Sequence, residues 1–448
     1  MGVSLLALAF LTGFVSGESL TAVMTVSDED GGPVAGIAFR TFMADGPEGW
    51  YLLRPELLEQ DGPLTDADGR AVVALNAPEG LTNLRGSLAR GDKRLTAVAL
   101  TRDGEDGTFF GEATVRLGRP SRALWVETVP LDGAPAAGTA AVLSRIADRG
   151  FEDGERVAVE VPDVAVRGSR ELSFALVAGE AGRRQFSDVL TWKPPTEAAA
   201  DPFEAEYGEP VLLQGGWRFR GRLSDEVSRP VSGHVSVAAF PAEGNGILYR
   251  RSGPLDADGR FEVEDLPRGW NLQVHGLIWA GERTGPPTHW VPRMSPEQAR
   301  EVYESLGVGS PQPNPNQDFP IVLTPEEWSE EVTLPVEQTG TAEVVLLDGG
   351  EPLADTEIWL NPETPFPNTD AVLLGLPHFP GAPPVRWSGV TDASGVAVIR
   401  GLPPTRLHLS GIAPPDLRDS DFVLNGASFG RDGAVEPGGR SRIRFTLR

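Results

Sequence analysis

One phrase recurs three times along this chain, and such repetition defines the building block before any site is considered. Each copy runs an alternating strand into a Gly/Pro turn and resumes as strand. It then makes an acidic Gly turn, another strand and a Pro-marked corner. The first copy has Val26-Ser27-Asp28, Gly32-Pro33-Val34-Ala35-Gly36, Thr65-Asp66-Ala67-Asp68-Gly69-Arg70 and Ala77-Pro78-Glu79-Gly80. The second has Leu223-Ser224-Asp225, Arg229-Pro230-Val231-Ser232-Gly233, Leu255-Asp256-Ala257-Asp258-Gly259-Arg260 and Leu266-Pro267-Arg268-Gly269. The third has Leu346-Leu347-Asp348, Glu351-Pro352-Leu353-Ala354-Asp355, Thr391-Asp392-Ala393-Ser394-Gly395-Val396 and Leu402-Pro403-Pro404-Thr405.

The strands alternate strictly. In Trp217 to Leu223, the residues Trp217, Phe219 and Leu223 share one face while Arg218, Arg220 and Arg222 take the other. Near the C-terminus Ile443, Phe445 and Leu447 point one way, and Arg442, Arg444, Thr446 and Arg448 the other. A period of two with opposite character on each face is what a half-buried strand requires. Gly 53 and Pro 40 supply the turns of many short strands. The expected fold class is therefore all-β, built of tandem antiparallel sandwiches. One short helix belongs in an insertion of the second copy, where Ser295-Pro296-Glu297-Gln298 gives an N-terminal cap and Gly307 ends the run.

The boundaries expected are a signal segment at 1–17, the first sandwich at 18–118 and a further β-rich segment at 119–196. A linker at 197–212, the second sandwich with its insertion at 213–336 and the third sandwich at 337–448 complete the chain. The 119–196 segment reads as a diverged module or as an extension of the first, and Thr139 to Arg149 as a short helix or a strand pair. The apolar run Gly2 to Gly17, with Val15 and Gly17 before a cut at Glu18, reads as a secretory signal, the alternative being an uncleaved anchor. No other stretch approaches membrane length.

The order strand, Gly/Pro turn, strand, (T/L)DADG turn, strand, LPxG corner resembles the carboxypeptidase regulatory-like domains. These are transthyretin-like (prealbumin-like), immunoglobulin-like sandwiches related in shape to the Cna protein B-type modules of bacterial surface proteins. The match is best at Phe219 to Gly276 and Ala342 to Gly411, and weaker at Val23 to Gly80. The resemblance implies no chemistry: such domains accompany a catalytic domain or act as spacers, stalks and receptor extensions. B-type modules often carry a Lys-to-Asn isopeptide staple, but Lys93 and Lys193 are the only lysines here, so the second and third copies cannot form one.

Charge and composition narrow the partners. The net charge of −25 comes from 64 acidic residues spread along the chain, a surface that repels phosphate backbones and anionic headgroups. Cys 0 removes thiol chemistry, disulfides, cysteine zinc sites and a lipidated cysteine. None of His234, His275, His289, His378 and His408 has the spacing of a zinc peptidase motif, and no Gly-x-Ser-x-Gly elbow exists. An EF-hand begun at Asp66 or Asp256 would need a Glu where Ala77 and Pro267 stand, so the acidic turns read as hairpin turns closed by glycine.

Three tryptophans, Trp270, Trp279 and Trp290, follow the second Pro corner, and exposed rings there would stack on sugars or Pro-rich peptides. Core packing is the competing reading. The sequence thus points to an exported, non-enzymatic bacterial scaffold at the cell surface or in the periplasm. Its expected partner is a protein or a glycan, with no nucleic acid, cofactor or metal. The alternative is a carbohydrate-binding accessory module that uses the insertion.

Overall fold

The same three-strand arrangement occurs three times in the computed structural model. The structure describes residues 18–46, 49–54, 62–90, 93–103, 108–115, 122–130, 141–143, 150–153, 156–168, 170–242, 247–294, 296–305, 319–362, 385, 387–418, 420–425 and 433–447. In the first module Glu18–Ser27 lies between antiparallel Arg70–Ala77 and parallel Thr108–Thr114. In the second, Trp217–Leu223 lies between antiparallel Arg260–Leu266 and parallel Val332–Leu334. In the third, Gly340–Asp348 lies between antiparallel Val396–Leu402 and parallel Arg440–Leu447. The second sheet of each module is centred on an antiparallel pair: Ala38–Gly46 with Asn83–Arg90, Val231–Phe240 with Asn271–Ala280, and Glu357–Pro362 with Arg406–Ala413. The sandwich expectation holds, and the closing strand of each first sheet is parallel.

The alternation read in the sequence is the packing. Phe219 and Leu223 are fully buried, and they meet Phe261, Val263, Val235, Val237 and Leu272 from both sheets of the second module. Arg218, Arg220 and Arg222 face water. Burying side chains of this size contributes about 1.5–3 kcal/mol each. A one-residue slip would move all of them to solvent, so the register is strongly specified.

The acidic turns are one device used three times. The Oδ1 atom of Asp66 accepts hydrogen bonds from the amides of Asp68 and Arg70 at 2.9 Å each. Asp256 does the same for Asp258 and Arg260 at 3.0 and 2.8 Å, and Asp392 for Ser394 and Val396 at 2.8 and 3.1 Å. The glycines that close these turns, Gly69, Gly259 and Gly395, have φ of 71°, 76° and 71°, which the absence of a Cβ permits. A Cβ on Gly69 would stand 2.3 Å from the Val26 carbonyl oxygen. The preceding threonine ties the acidic turn to the earlier Gly/Pro turn: Thr65 Oγ1 donates to the Val34 carbonyl at 2.6 Å, and Thr391 Oγ1 to that of Leu353 at 2.6 Å. The second copy has Leu255 instead and ties its own amide to the Gly233 carbonyl at 2.9 Å.

The chain forms two compact units. One comprises Met1–Leu117, Thr339–Pro377 and Pro384–Arg448; the other comprises Gly118–Gln338 and His378–Pro383. The first unit therefore joins the first and third modules, although residues 118–338 intervene in sequence. Gly49–Leu53 of the first module pairs antiparallel with Phe422–Asn425 of the third, making one continuous sheet. Trp359, Ala413, Leu417, Phe422 and Val423 of the third module belong to the same buried cluster as Phe39, Tyr51 and Leu53 of the first.

In the second unit, Arg122–Val129 is flanked by antiparallel Arg156–Glu160 and by parallel Phe203–Glu206 and Val211–Leu212. Within residues 197–212, expected as a linker, Phe203–Glu206 and Val211–Leu212 are strands of this sheet. The glutamates that give this stretch a linker's composition occupy the exposed alternate positions, Glu204 and Glu206. The 119–196 segment has its own core around Leu124, Val159, Phe174 and Leu176, and its Gln185–Phe186 pairs with Gln214–Gly215 at the start of the second module. Within Thr139 to Arg149, Ala141–Leu143 is strand. The insertion carries the expected helix at Pro296–Ser305, and short helices also occur at Asp163–Arg167 and Pro325–Trp328. No described helix is long and apolar enough to cross a membrane. The 1–17 segment lies outside the described residues.

Candidate functional site

The tryptophans singled out by the sequence are core residues. Trp270, Trp279 and Trp290 are 4%, 4% and 2% exposed, so none presents a ring face to solvent. The carbonyl of Trp270 accepts the indole N–H of fully buried Trp328 at 2.9 Å. Trp279 donates its indole N–H to the Gly285 carbonyl at 2.9 Å and is covered by the Arg283 guanidinium 4.8 Å from its ring. The insertion uses its aromatic rings to cover the second module's own sheet. Alternation identifies a strand, but it does not say whether the outer face is left bare or covered.

The described histidines do not gather into a group that could hold a metal ion. His275 is buried on the face of Asn271–Ala280, directly across from Ser236. Burial, reinforced by the nearby Arg293 and Arg250 guanidinium groups, lowers its pKa to about 3, so the imidazole is neutral. Burial and Arg283 lower His234, and burial alone lowers His289. His378 lies outside the described residues. Among the described residues no group of three or more His, Asp or Glu side chains converges to hold a metal ion. The acidic turns commit Oδ1 of Asp66, Asp256 and Asp392 to backbone amides, as their hairpin geometry requires.

Two polar joints hold modules together. In the first unit the Arg54 guanidinium donates to the carbonyls of Ser420, Leu417 and Arg418 at 2.6, 3.0 and 2.9 Å and pairs with Glu357 at 3.1 Å. Asn76 and Asp421 exchange further bonds: the Asn76 amide donates to Asp421 Oδ2, and the Asp421 amide donates to the Asn76 carbonyl, both at 2.7 Å. In the second unit Asp265, 5% exposed with φ 58°, accepts from the amides of Gly182 and Arg184 at 2.6 and 3.2 Å and from Arg251 at 3.3 Å. Asn76 and Asp265 occupy the same place in the repeat, two residues before the corner proline. That corner is where each of these two modules grips another part of the chain, and nothing in the sequence phrase announces the role.

What differs between modules is the solvent-facing side of the repeated three-strand sheet. In the first module its centre is apolar, Val23 lying between Val72 and Phe110, which are 48% and 44% exposed, with Thr25 between Arg70 and Glu112 farther along. In the second it is ion-paired: Arg218 meets Glu262 and Glu264 at 3.1 and 3.3 Å, Arg220 meets Glu262 at 3.7 Å, and Arg260 meets Glu331 at 3.8 Å. Arg218, Arg220, Arg260, Glu262 and Glu331 line an open depression of about 860 Å³, and their charges already answer one another. In the third module cations line the closing strand, with Arg440, Arg442 and Arg444, and Arg400 stands on the far strand beside exposed Val398, across the central strand's Glu343. Arg440 pairs with Glu343. The exposed side chains of Arg400, Arg442 and Arg444 form no hydrogen bond or ion pair among the described residues.

No protein-family model matches this chain, and no curated protein matches it. Solved structures similar to it include the major pilin subunit BcpA of Bacillus cereus. That match has 11% identity, covers 96% of this chain and 99% of that one, and has a TM-score of 0.15. The minor pilin GBS52 of Streptococcus agalactiae has 12% identity, coverage of 52% and 96%, and a TM-score of 0.24. The Bacillus anthracis TIE protein has 11% identity, coverage of 97% and 75%, and a TM-score of 0.17. TM-scores this low do not amount to a shared global arrangement.

Proposed function

We propose that this chain is an exported, non-enzymatic structural and interaction scaffold of carboxypeptidase regulatory-like sandwiches, acting at a bacterial cell surface or in a periplasm. One observation carries the reading. A single sandwich topology recurs three times with its interior kept apolar and its solvent-facing sheet redecorated as apolar, ion-paired and cationic. Redecorating one face of a repeated frame diversifies contacts, whereas an enzyme needs groups from several elements converging on one reacting centre. The joint between the first and third modules supports a mechanical role as well, because it ties distant parts of the sequence into one body.

The test is cellular. A tagged chain produced in a bacterial host with its own first residues should be recovered outside the cytoplasm. In intact cells of a host without an outer membrane, added protease should cleave it. Recovery wholly in the cytoplasm would overturn the reading.

A further inference from the structure

We propose that the third module's closing strand, Arg440–Leu447, is an acceptor for an extended acidic polypeptide segment that adds to its open edge. The proposal rests on the scaffold reading and deepens it by naming the partner's chemistry.

Three observations converge on this edge. Arg440–Leu447 pairs with Gly340–Asp348 on one side, and among the described residues no strand pairs with its other side. In the first module the equivalent strand, Thr108–Thr114, has that second side filled: Thr101, Arg102 and Asp103 pair antiparallel with Phe110, Phe109 and Thr108. The protein thus already shows an extended segment seated on this edge of this sandwich. Backbone N–H and C=O groups on an unfilled edge form a template that any extended chain can complete.

The charge on the adjoining face specifies what kind of chain. Arg440, Arg442 and Arg444 recur at alternate positions, so their Cα atoms are about 6.6 Å apart, given a rise of about 3.3 Å per residue. An added strand carries its own same-face side chains at that spacing. Carboxylates at every second residue would therefore meet guanidinium groups in step, as opposite charges on neighbouring strands do. Arg442 and Arg444 have no carboxylate partner among the described residues, and Glu343 is engaged by Arg440. In the second module the face's arginines sit on the central strand, and Arg218 and Arg220 there are neutralised by Glu262 and Glu264, so that face has no such demand.

The net charge of −25 does not forbid an acidic partner. At physiological ionic strength charges farther apart than about 8 Å are largely screened, which leaves the local arginine row to decide the contact. Charged side chains on an edge also deter accidental strand pairing, and the experiment separates that role from docking.

The full purified chain is titrated with a fluorescent peptide of alternating Glu and Thr, and anisotropy is followed at about 50 and 150 mM salt, a range over which screening changes appreciably. The expected result is saturable binding that weakens with salt. It should be at least tenfold weaker for a Glu-Glu-Thr-Thr peptide of the same composition, whose carboxylates fall out of step. Arg442→Glu with Arg444→Glu should abolish binding, and Arg442→Gln with Arg444→Gln should reduce it at least tenfold, each with unchanged circular dichroism. Arg218→Gln should leave binding unaltered. Absence of binding, equal binding of the two peptides, or binding indifferent to both double substitutions would each overturn the proposal. Such failure would leave the scaffold reading standing, since cell fractionation decides that separately.

Discussion

Arg54 reaches 366 positions along the chain to donate from Nε to the carbonyl oxygen of Ser420 at 2.6 Å. Its other guanidinium nitrogens hold the carbonyls of Leu417 and Arg418 and the carboxylate of Glu357, and its face lies 5.5 Å from the Trp359 ring centroid. One planar, multiply donating group thus caps the C-terminal end of the 3₁₀ turn at Pro415–Leu417 and seals the edge-to-edge pairing beside it. Arg54→Met keeps the aliphatic stem and removes every donor. It leaves part-buried carbonyls and Glu357 unanswered, and the expected cost is about 1–3 kcal/mol in the first unit. Hydrogen exchange should show lost protection at Gly49–Leu53 and Phe422–Asn425 together, with Val231–Phe240 unchanged. Protection retained at both strands would show that the pairing stands without the clamp.

The acidic turns give a sharper comparison because two glycines of one module face opposite circumstances. Gly69 and Gly36 both have positive φ, 71° and 76°. A Cβ on Gly69 would approach the Val26 carbonyl oxygen to 2.3 Å, whereas a Cβ on Gly36 would meet nothing within 4 Å. Gly36→Ala should cost about 1 kcal/mol, from the left-handed conformation alone. Gly69→Ala must also push a strand aside and should cost about 3 kcal/mol. Urea unfolding of the two variants measures the difference, and equal costs would mean that the turn relaxes freely.

These turns are legible from sequence because their cause is local: an Asp that caps, a Gly that accepts positive φ, and a strand on either side. The joint between the first and third modules is not legible, because strand pairing between Gly49–Leu53 and Phe422–Asn425 uses backbone groups that every residue possesses. Arg54 is one arginine among many in a row of letters, and its partners are mainly carbonyls. Likewise, the outward positions of Arg442 and Arg444 follow from alternation. That they stay unpaired among the described residues, while Arg218 and Arg220 do not, depends on which neighbour each carboxylate takes: Glu343 lies across from Arg442 yet pairs with Arg440. The buried tryptophans show the same limit, since the chain that covers them comes from elsewhere in the insertion.

His275 makes the second unit acid-sensitive in a defined window. Its folded pKa of about 3 lies below the ordinary value of 6.5, so the folded state holds the neutral ring while the unfolded state takes up a proton. Stability from this group is complete above pH 6.5 and falls as the pH drops from 6.5 toward 3. Between about pH 6.5 and 4 the loss is roughly 3 kcal/mol. His275→Gln should unfold with a shallower pH dependence over that interval, crossing the parent curve as the pH falls. Parallel stability curves for the two proteins would place the acid sensitivity elsewhere.

Asp392 works in the same direction through a different cause. Hydrogen bonds from the Ser394 hydroxyl and from the amides of Val396 and Ser394 favour the ionised carboxylate and lower its pKa. Its contribution is present above the ordinary carboxylate range and is lost as the pH falls through its lowered folded value. Asp392→Asn keeps a capping oxygen and removes the titration. NMR titration of the Asp392 carboxyl carbon should place its midpoint below that of a free aspartate, and a midpoint at or above that value would contradict the turn geometry.

The joint also predicts what happens when the third module is missing. A chain ending at Gln338 retains Gly49–Leu53 but loses Phe422–Asn425, which pairs with it, and loses the cover that Phe422 and Val423 give to the shared core. Tyr51, Leu52 and Leu53, now at most 5% exposed, would border an unpaired edge. An apolar strand with free backbone donors and acceptors recruits another chain. The shortened protein should therefore self-associate in a concentration-dependent way by light scattering, while the excised 118–338 unit, with two buried clusters of its own, should remain monomeric and cooperatively folded. A monomeric shortened chain with native protection at Gly49–Leu53 would mean that the first module closes its own edge. The third module would then be a neighbour and not a structural necessity.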